Sequence, residues 1–185
     1  IQPNGSSTSR VKHVKNASEK TIQAKFIIDC SGYGRLLANQ MTLNKASDVQ
    51  VNASVFTHVK DVNRPEGKEG TLFTFDVLDL NTWLWVIPFS NGNTSLGVVC
   101  NEETIKTTKG DAFTKVNYFL NKSEYYKQRF KDCEPIINTY DMCAFSKSAT
   151  KLYGTGFALT GNSAEFLDPV FSSGVTFATE SALKA

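Results

Sequence analysis

Hydrophobic positions recur with a period of two through the middle of the chain. Between residues 49 and 55, valine and alanine alternate with polar residues, which is typical of a strand with one buried face. Further apolar runs cover residues 72–77, 83–88 and 95–100. Asn91 and Gly92 separate the last two runs, and this dipeptide is a strong hairpin signal. Consecutive strands joined by short turns predict an antiparallel sheet.

After this sheet the spacing becomes helical. A helix is predicted over residues 111–121, because its apolar side chains fall on one face: Phe113, Val116, Phe119 and Leu120. A second helix is predicted over residues 123–130, with Ser123 as its cap. Residues 135–145 are predicted to form another strand.

Two further segments share one layout, in which a buried strand leads through a turn of small residues into a helix. In the first, a hairpin over residues 10–29 ends in the apolar run 26–28, and a helix is predicted over residues 34–43. In the second, a strand over residues 156–160 is followed by a turn-rich stretch and a helix from Val175 to the chain end.

The strand tips of these two segments carry Asp29 and Asn162. Such side chains can hold ribose hydroxyls, and the N-terminus of a following helix can bind an anion. The alternative is that both are ordinary connections capped by Asx side chains. Arg35 is interpreted as a solvated residue of the first helix, with a phosphate contact as the alternative.

Composition excludes several classes of protein. The chain has 185 residues, of which 41% are hydrophobic and 21% charged, enough for one domain or parts of two. No apolar run approaches the ~18 residues of a membrane span. A net charge of +2 does not favour nucleic-acid binding. The four cysteines and two histidines are not clustered, so we predict no metal site and reduced thiols in a cytoplasmic protein.

Four motifs resemble those of the flavin-dependent halogenases and related FAD-dependent oxidoreductases. Residues 29–32 (DCSG) and the following 34–40 (GRLLANQ) resemble the family's D-A/C-S-G-x-x-R segment. Residues 83–88 (WLWVIP) match its W-x-W-x-I-P signature. Residues 161–164 (GNSA) stand where the family has G-D-A-A, and residues 168–175 match D-P-V-F-S-S-G-V. The three best matches occur in the family's order.

The resemblance implies an α/β (α+β) fold, a fragment of an FAD/NAD(P)-binding Rossmann-like domain with an inserted antiparallel β-sheet substrate domain. Residues 1–48 and 151–185 would belong to the FAD-binding domain, and residues 49–150 to the inserted domain. The family's glycine-rich phosphate motif and catalytic lysine are expected before residue 1 in a longer protein. We therefore assign no catalytic residue, and expect the isolated fragment to be inactive and to bind FAD weakly or not at all.

The resemblance also implies roles for the turn residues of the two strand-to-helix segments. Asp29 would lie near the adenosine half of FAD, where Ser31 and Gly32 allow close passage. Gly161 and Asn162 would meet the ribityl or pyrophosphate linkage. Asn162 replaces the family's usual aspartate, and this loss of charge is expected to weaken or alter flavin binding. Gly32 and Gly161 are therefore predicted to share one cleft.

The remaining implied site residues lie in two motifs. Asp168 and Pro169 would shape the turn beside the isoalloxazine. The backbone N–H groups of Ser173 and Gly174 would face the flavin O2 edge or a halide. On the substrate side would lie the two tryptophans of the W-x-W motif, Trp83 and Trp85.

The implied activity is that of a halogenase-like or monooxygenase-like oxidoreductase. It would use reduced flavin and dioxygen to halogenate or hydroxylate a small aromatic or lipid-like substrate, with a separate flavin reductase as a partner. One alternative is a flavin reductase of the geranylgeranyl-reductase type that acts on an alkene. Another is a non-catalytic β-sheet binding module with a hydrophobic groove around Trp83 and Trp85.

Overall fold

The computed structural model describes residues 5–13, 15–46, 52–143, 146–167 and 169–185. In chain order the strands are β1 (Ser7–Lys12), β2 (Glu19–Ala24), β3 (Ile27–Asp29), β4 (Asn44–Ala46), β5 (Asn52–Lys60), β6 (Thr74–Asp79), β7 (Thr82–Pro88), β8 (Asn93–Asn101), β9 (Tyr140–Met142), β10 (Lys147–Ala149), β11 (Tyr153–Gly154) and β12 (Phe157–Leu159). The α-helices are α1 (Leu36–Gln40), α2 (Glu102–Thr107), α3 (Ala112–Leu120) and α4 (Gly174–Lys184). Short 3-10 turns cover Gly32–Gly34, Glu69–Thr71, Gly161–Ser163 and Pro169–Phe171.

The chain divides into two units. The first comprises Ile1–Val49 and Ser146–Ala185, and the second comprises Gln50–Phe145. Strand β10 falls in the first unit because it pairs antiparallel with β4. The expected domain bounds, with the inserted domain over residues 49–150, assign residues 147–149 to that domain instead.

The first unit contains three small sheets. Strands β1 and β2 form an antiparallel hairpin, which confirms the predicted hairpin. Strand β12 lies between β11 and β3, antiparallel to β11 and parallel to β3. Beneath the turns that follow these strands is a small core formed by Leu37, Ala38, Ala149, Phe157, Leu159 and Ala164.

The helix predicted over residues 34–43 is reduced to the five residues of α1. Arg35 precedes it with φ 45°, and Thr42 follows it with φ 55°. A residue in this left-handed region cannot continue a right-handed helix, so α1 is limited at both ends. The run predicted to be buried before it is largely solvent-accessible, since Phe26 is 45% exposed and Ile28 is 48% exposed.

The second unit is a five-stranded antiparallel sheet in the order β6-β7-β8-β5-β9. One face packs against α2 and α3 over a core that includes Val55, Leu84, Val98, Ile105 and Phe119. Asn101 caps α2, and Asp111 caps α3, each by accepting a backbone N–H at 2.8 Å. Helix α2 is not among the elements predicted from the sequence.

Two predictions in the second unit are wrong. Residues 123–130 form successive turns, in which the Ser123 hydroxyl accepts the Tyr126 amide at 3.1 Å, instead of a helix. Of the strand predicted over residues 135–145, the structure shows β9 and an isolated bridge between Pro135 and Val59; residues 144–145 lie outside the described residues. Among the described residues, no helix is long and apolar enough to cross a membrane.

Candidate functional site

The two strand-to-helix turns of the first unit lie side by side. Leu159 of β12 is the parallel register partner of Asp29 of β3. The Thr160 amide then donates to the Asp29 carbonyl oxygen at 3.0 Å, and the Ser163 hydroxyl donates to the same oxygen. Because neighbouring parallel strands end at one edge of a sheet, this pairing confirms that the turns after Asp29 and Thr160 are neighbours.

The Asp29 carboxylate holds its own turn. One of its oxygens accepts the Ser31 amide at 2.8 Å, and the other accepts the Leu37 amide at 2.7 Å. The residue is 5% exposed. Gly32, with φ +59°, follows at a position where an added Cβ would have no neighbour within 4 Å. The carboxylate thus shapes the turn, while Gly32 leaves its outer side open.

Gly161 packs closely against α4. An added Cβ would lie 3.1 Å from the Ala178 Cβ of α4, and the backbone has φ +53°. Its amide already donates to the Ser181 hydroxyl at 2.9 Å. Thr160 and Ser163 close the turn with a reciprocal capping box. These bonds fix the turn against α4 and leave the Gly161 amide engaged within the protein.

A cavity of about 50 Å³ lies beside this turn, and four of the predicted site residues line it: Asn162, Pro169, Ser173 and Gly174. Apolar side chains and one carboxylate complete the lining: Leu167, Phe166, Phe177 and Glu165. Within the described part of the chain, the Asn162 side-chain amide makes no hydrogen bond. Asp168, also predicted here, lies outside the described residues.

The N-terminus of α4 opens at this cavity. Ser173 is its N-cap but makes no side-chain capping bond, so its own hydroxyl does not occupy the first amides of the helix. An added Cβ on Gly174 would contact nothing within 4 Å. Free N–H groups and the helix dipole favour negatively charged or acceptor groups. The geometry suits a small anion or the acceptor edge of a larger ligand.

Arg35 is buried, which makes the prediction of a solvated side chain wrong. It is 3% exposed, and its guanidinium reaches four acceptors on three segments. The bonds run to the Asn44 side chain and to the carbonyl oxygens of Ser148, Asn162 and Ala164. Burial lowers the pKa of Arg35, and the nearby charges of Asp29 and Glu165 oppose that shift.

In the second unit, Trp83 and Trp85 belong to an aromatic row on β7, β5 and β9. The ring centroids of Trp83 and Trp85 are 6.1 Å apart, those of Trp85 and Phe56 are 6.0 Å apart, and those of Phe56 and Tyr140 are 5.4 Å apart. The Trp85 indole N–H donates to the Ser95 hydroxyl at 3.1 Å. Aromatic pairs at such distances pack favourably. Neither Phe56 nor Tyr140 is among the site residues predicted from the sequence.

The Trp85 ring packs directly on a glycine of the neighbouring strand β8. Gly97 is its register partner on β8, and an added Cβ there would lie 2.2 Å from the indole. The absence of a side chain at Gly97 is therefore what lets Trp85 lie over β8 and reach Phe56. Among the described residues of both units, no three His, Cys, Asp or Glu side chains gather into a metal site.

The model of the family described as tryptophan halogenase matches residues 3–184 of this chain. The chain belongs to the tryptophan halogenase family. It is 27% identical over 170 residues to a 1H-pyrrole-2-carbonyl-[peptidyl-carrier protein] brominase from Pseudoalteromonas luteoviolacea, covering 90% of this chain and 42% of that protein. It is 30% identical over 171 residues to tryptophan 2-halogenase from Chondromyces crocatus, covering 89% of this chain and 32% of that protein.

A solved structure of a flavoprotein/dehydrogenase from Cytophaga hutchinsonii is 40% identical to this chain, with a TM-score of 0.87. The match covers 97% of this chain and 44% of that protein. The chain thus spans less than half the length of these three relatives. Membership of the halogenase family confirms the predicted α/β fold, part of the Rossmann-like architecture of these flavoproteins, with an antiparallel sheet.

Proposed function

We propose that this chain is the part of a cytoplasmic FAD-dependent halogenase that contributes two flavin-binding turns and the substrate-side sheet. The observation that carries the proposal is the small cavity at the N-terminus of α4. In a chain of the tryptophan halogenase family, Asn162, Pro169, Ser173 and Gly174 line it together. These residues come from two of the motifs that resemble the flavin-contacting segments of the family.

The residues around the cavity fit an FAD molecule in part. Gly32 and Gly174 leave open space, and the uncapped α4 N-terminus offers N–H donors. Asp29 and Gly161 already bond within the protein, so we assign them to shaping the turns. When bound, reduced FAD supplies the electrons with which dioxygen is activated. This chain's residues would bind the cofactor and keep its acceptor edge against the α4 amides.

As the alternative occupant of the cavity beside Gly174, we propose a chloride or bromide ion. Its volume of about 50 Å³ suits one small ion, and the positive end of the α4 dipole favours an anion there. The rings of Phe166 and Phe177 also line it and would limit access of water. The Glu165 carboxylate opposes anion binding, so halide affinity is expected to be weak.

The proposed substrate is a small aromatic compound bound against the aromatic row of the second unit. Trp83 and Trp85 are half-buried, and Tyr140 is 49% exposed. Offset ring contacts along this row suit a planar ring. The two curated relatives described above act on a pyrrole group and on tryptophan according to their names. A separate flavin reductase would supply the reduced cofactor.

A reductase or dehydrogenase activity is the second candidate, and one observation favours it. The 40% identical structure is that of a flavoprotein/dehydrogenase, whereas the two halogenases described above are 27% and 30% identical. In this case the reduced flavin would deliver a hydride to an alkene and would not need a halide. Direct hydroxylation of the substrate is a further alternative, in which the enzyme would act as a monooxygenase.

The test uses the complete gene product that carries this chain, supplied with FAD, a flavin reductase and NADH. A panel of indoles, phenols and pyrroles is incubated with chloride or bromide in air, and products are analysed by mass spectrometry. Halogenated product that depends on halide and oxygen supports the proposal. Reduced alkenes formed without oxygen support the second candidate. The 185-residue chain alone is expected to be inactive and to retain little visible flavin absorbance.

A further inference from the structure

Arg35 has a backbone conformation that its residue type disfavours. It lies between the 3-10 turn Gly32–Gly34 and α1, with φ 45° and ψ 46°. Its amide donates to the Gly32 carbonyl at 3.2 Å, and its carbonyl accepts the Asn39 amide at 2.8 Å. A side chain with a Cβ rarely adopts this left-handed region unless the surroundings compensate. The contacts of the Arg35 side chain add to the compensation that these two backbone bonds give.

Those contacts occupy the guanidinium. Nε donates to the Asn44 side-chain oxygen at 2.8 Å, and Nη2 donates to the Ser148 carbonyl at 2.8 Å. Nη1 donates to the Asn162 carbonyl at 3.1 Å and to the Ala164 carbonyl at 3.4 Å. A planar fork with five donors suits such a set of divergent acceptors, which a lysine ammonium cannot match. With its donors turned to these buried acceptors, Arg35 is not placed to hold a phosphate.

The acceptors explain what this arrangement achieves. Asn162 and Ala164 flank Ser163 in the second turn, whereas Arg35 begins the helix after the first turn. One side chain therefore ties the two turns together. It also holds two carbonyl oxygens of that turn in hydrogen bonds within the protein. A carbonyl oxygen engaged in this way is not free to turn toward an anionic or acceptor-rich ligand, which it would repel.

We infer that Arg35 is the positioning residue of this site: its guanidinium sets the peptide orientation of the 161–164 turn and holds it against the Asp29 turn. Arg35 orders the turn before a ligand binds, so that the free energy of binding is not reduced by the cost of ordering the turn. The inference rests on the proposed flavin site for its functional meaning. Its structural part, the ordering of the turn, stands without the flavin.

The experiment compares Arg35→Lys with Arg64→Lys in the complete gene product. Arg64 is a matched control, because it also donates to backbone carbonyls, those of Phe89 and Asn93, but lies in the second unit. Amide hydrogen exchange is measured without FAD, and FAD affinity is measured by flavin fluorescence together with the visible circular dichroism of bound flavin.

For Arg35→Lys we expect amides of residues 161–165 to exchange about tenfold faster, FAD to bind about tenfold more weakly, and the flavin dichroism to change. For Arg64→Lys we expect exchange in that turn and FAD affinity to remain within twofold of wild type. If Arg35→Lys fails to fold, Asn44→Ala removes the acceptor of the Nε bond, together with the bond that the Asn44 amide donates to the Asn39 side chain, and a threefold weakening of FAD binding with an altered flavin spectrum is expected.

Unchanged exchange in the turn of the Arg35→Lys protein overturns the inference. So does faster exchange with FAD affinity and flavin spectrum unaltered, because Arg35 would then be structural only. Wild-type protein that binds no FAD overturns the proposed function instead, and the exchange measurement still decides whether Arg35 holds the turn.

Discussion

The backbone amide of Thr160 donates to the carbonyl oxygen of Asp29 at 3.0 Å, although the two residues lie at opposite ends of the chain. The bond continues the parallel pairing of β12 with β3 one residue beyond the last register pair. It brings the turn after each strand to the same edge of the sheet. Backbone groups and short side chains of both turns can therefore reach one ligand bound at this edge.

Gly174→Ala separates ligand binding from folding. The added methyl group meets no neighbour within 4 Å, and alanine is favoured over glycine in helices by up to about 1 kcal/mol. We expect unchanged or slightly higher thermal stability of the complete gene product, but about tenfold weaker FAD binding, a loss of roughly 1.4 kcal/mol. Flavin titration and thermal unfolding of the same preparation measure both. Equal affinity in the two proteins would show that the ligand does not approach Gly174.

Gly97→Ala tests the support of Trp85. Because the added Cβ would lie 2.2 Å from the indole, overpacking should reduce the free energy of unfolding by about 1–3 kcal/mol. The tryptophan emission maximum should also shift as the ring is displaced. In a Trp85→Leu background the same substitution should cost much less, and equal costs in the two backgrounds would refute the contact.

The buried carboxyl of Asp61 should make the free energy of unfolding depend on pH. Burial raises the pKa of its carboxyl. Hydrogen bonds from Arg129, Thr94 and Arg64, together with the Arg129 charge, lower the pKa by more than burial raises it, so the net pKa lies below 3.8. A depressed carboxyl pKa stabilises the fold above the unfolded-state pKa and loses that contribution as the pH falls through the folded-state value. Asp61 should therefore contribute at pH 7 and progressively less below pH 3.8.

Urea unfolding of Asp61→Asn checks this expectation. At pH 7 the variant should lose about 3 kcal/mol of unfolding free energy, since it breaks a buried ion pair, and the difference from wild type should shrink near pH 3. Glu124→Gln is the control, because its bond to Lys127 is solvent-exposed and should matter little. A difference for Asp61→Asn that is the same at both pH values would contradict the account.

The cysteines provide a probe of ligand binding. Cys100 is buried, and burial raises the pKa of its thiol to about 12, whereas Cys30 and Cys143 are exposed. Iodoacetamide at pH 8 should modify Cys30 and Cys143 and spare Cys100. Since Cys30 lies between Asp29 and Ser31, FAD should slow its labelling in the complete gene product and leave Cys143 unaffected. Peptide mass spectrometry reads both sites; equal slowing of both would argue against a local effect.

Local patterns were sufficient for much of the fold. The β7–β8 hairpin, α3 and α4 follow from Asn91-Gly92, from an apolar helical stripe and from a turn before Val175. The predicted helix over residues 123–130 failed because its aromatic side chains do not share one buried face: Tyr125 is 80% exposed, while Phe130 is 2% exposed.

The site was predicted less completely, since its bonds join distant residues. Arg35 meets acceptors 113 to 129 residues further along the chain, and no local spacing indicates such partners. Phe56 joins the aromatic row through the register of β5 and β7 with β8, and Tyr140 joins it through the register of β9 with β5. The resemblance to a family supplied the turn residues, whereas the structure supplied the side chains that hold them.

Hydrogen exchange of the complete gene product with and without FAD tests the central claim most directly. Both turns should be protected together by FAD, in peptides covering residues 29–37 and 160–175, while α2 and α3 behind the sheet exchange as before. FAD binding with no protection in either turn, or protection of one without the other, would contradict the account.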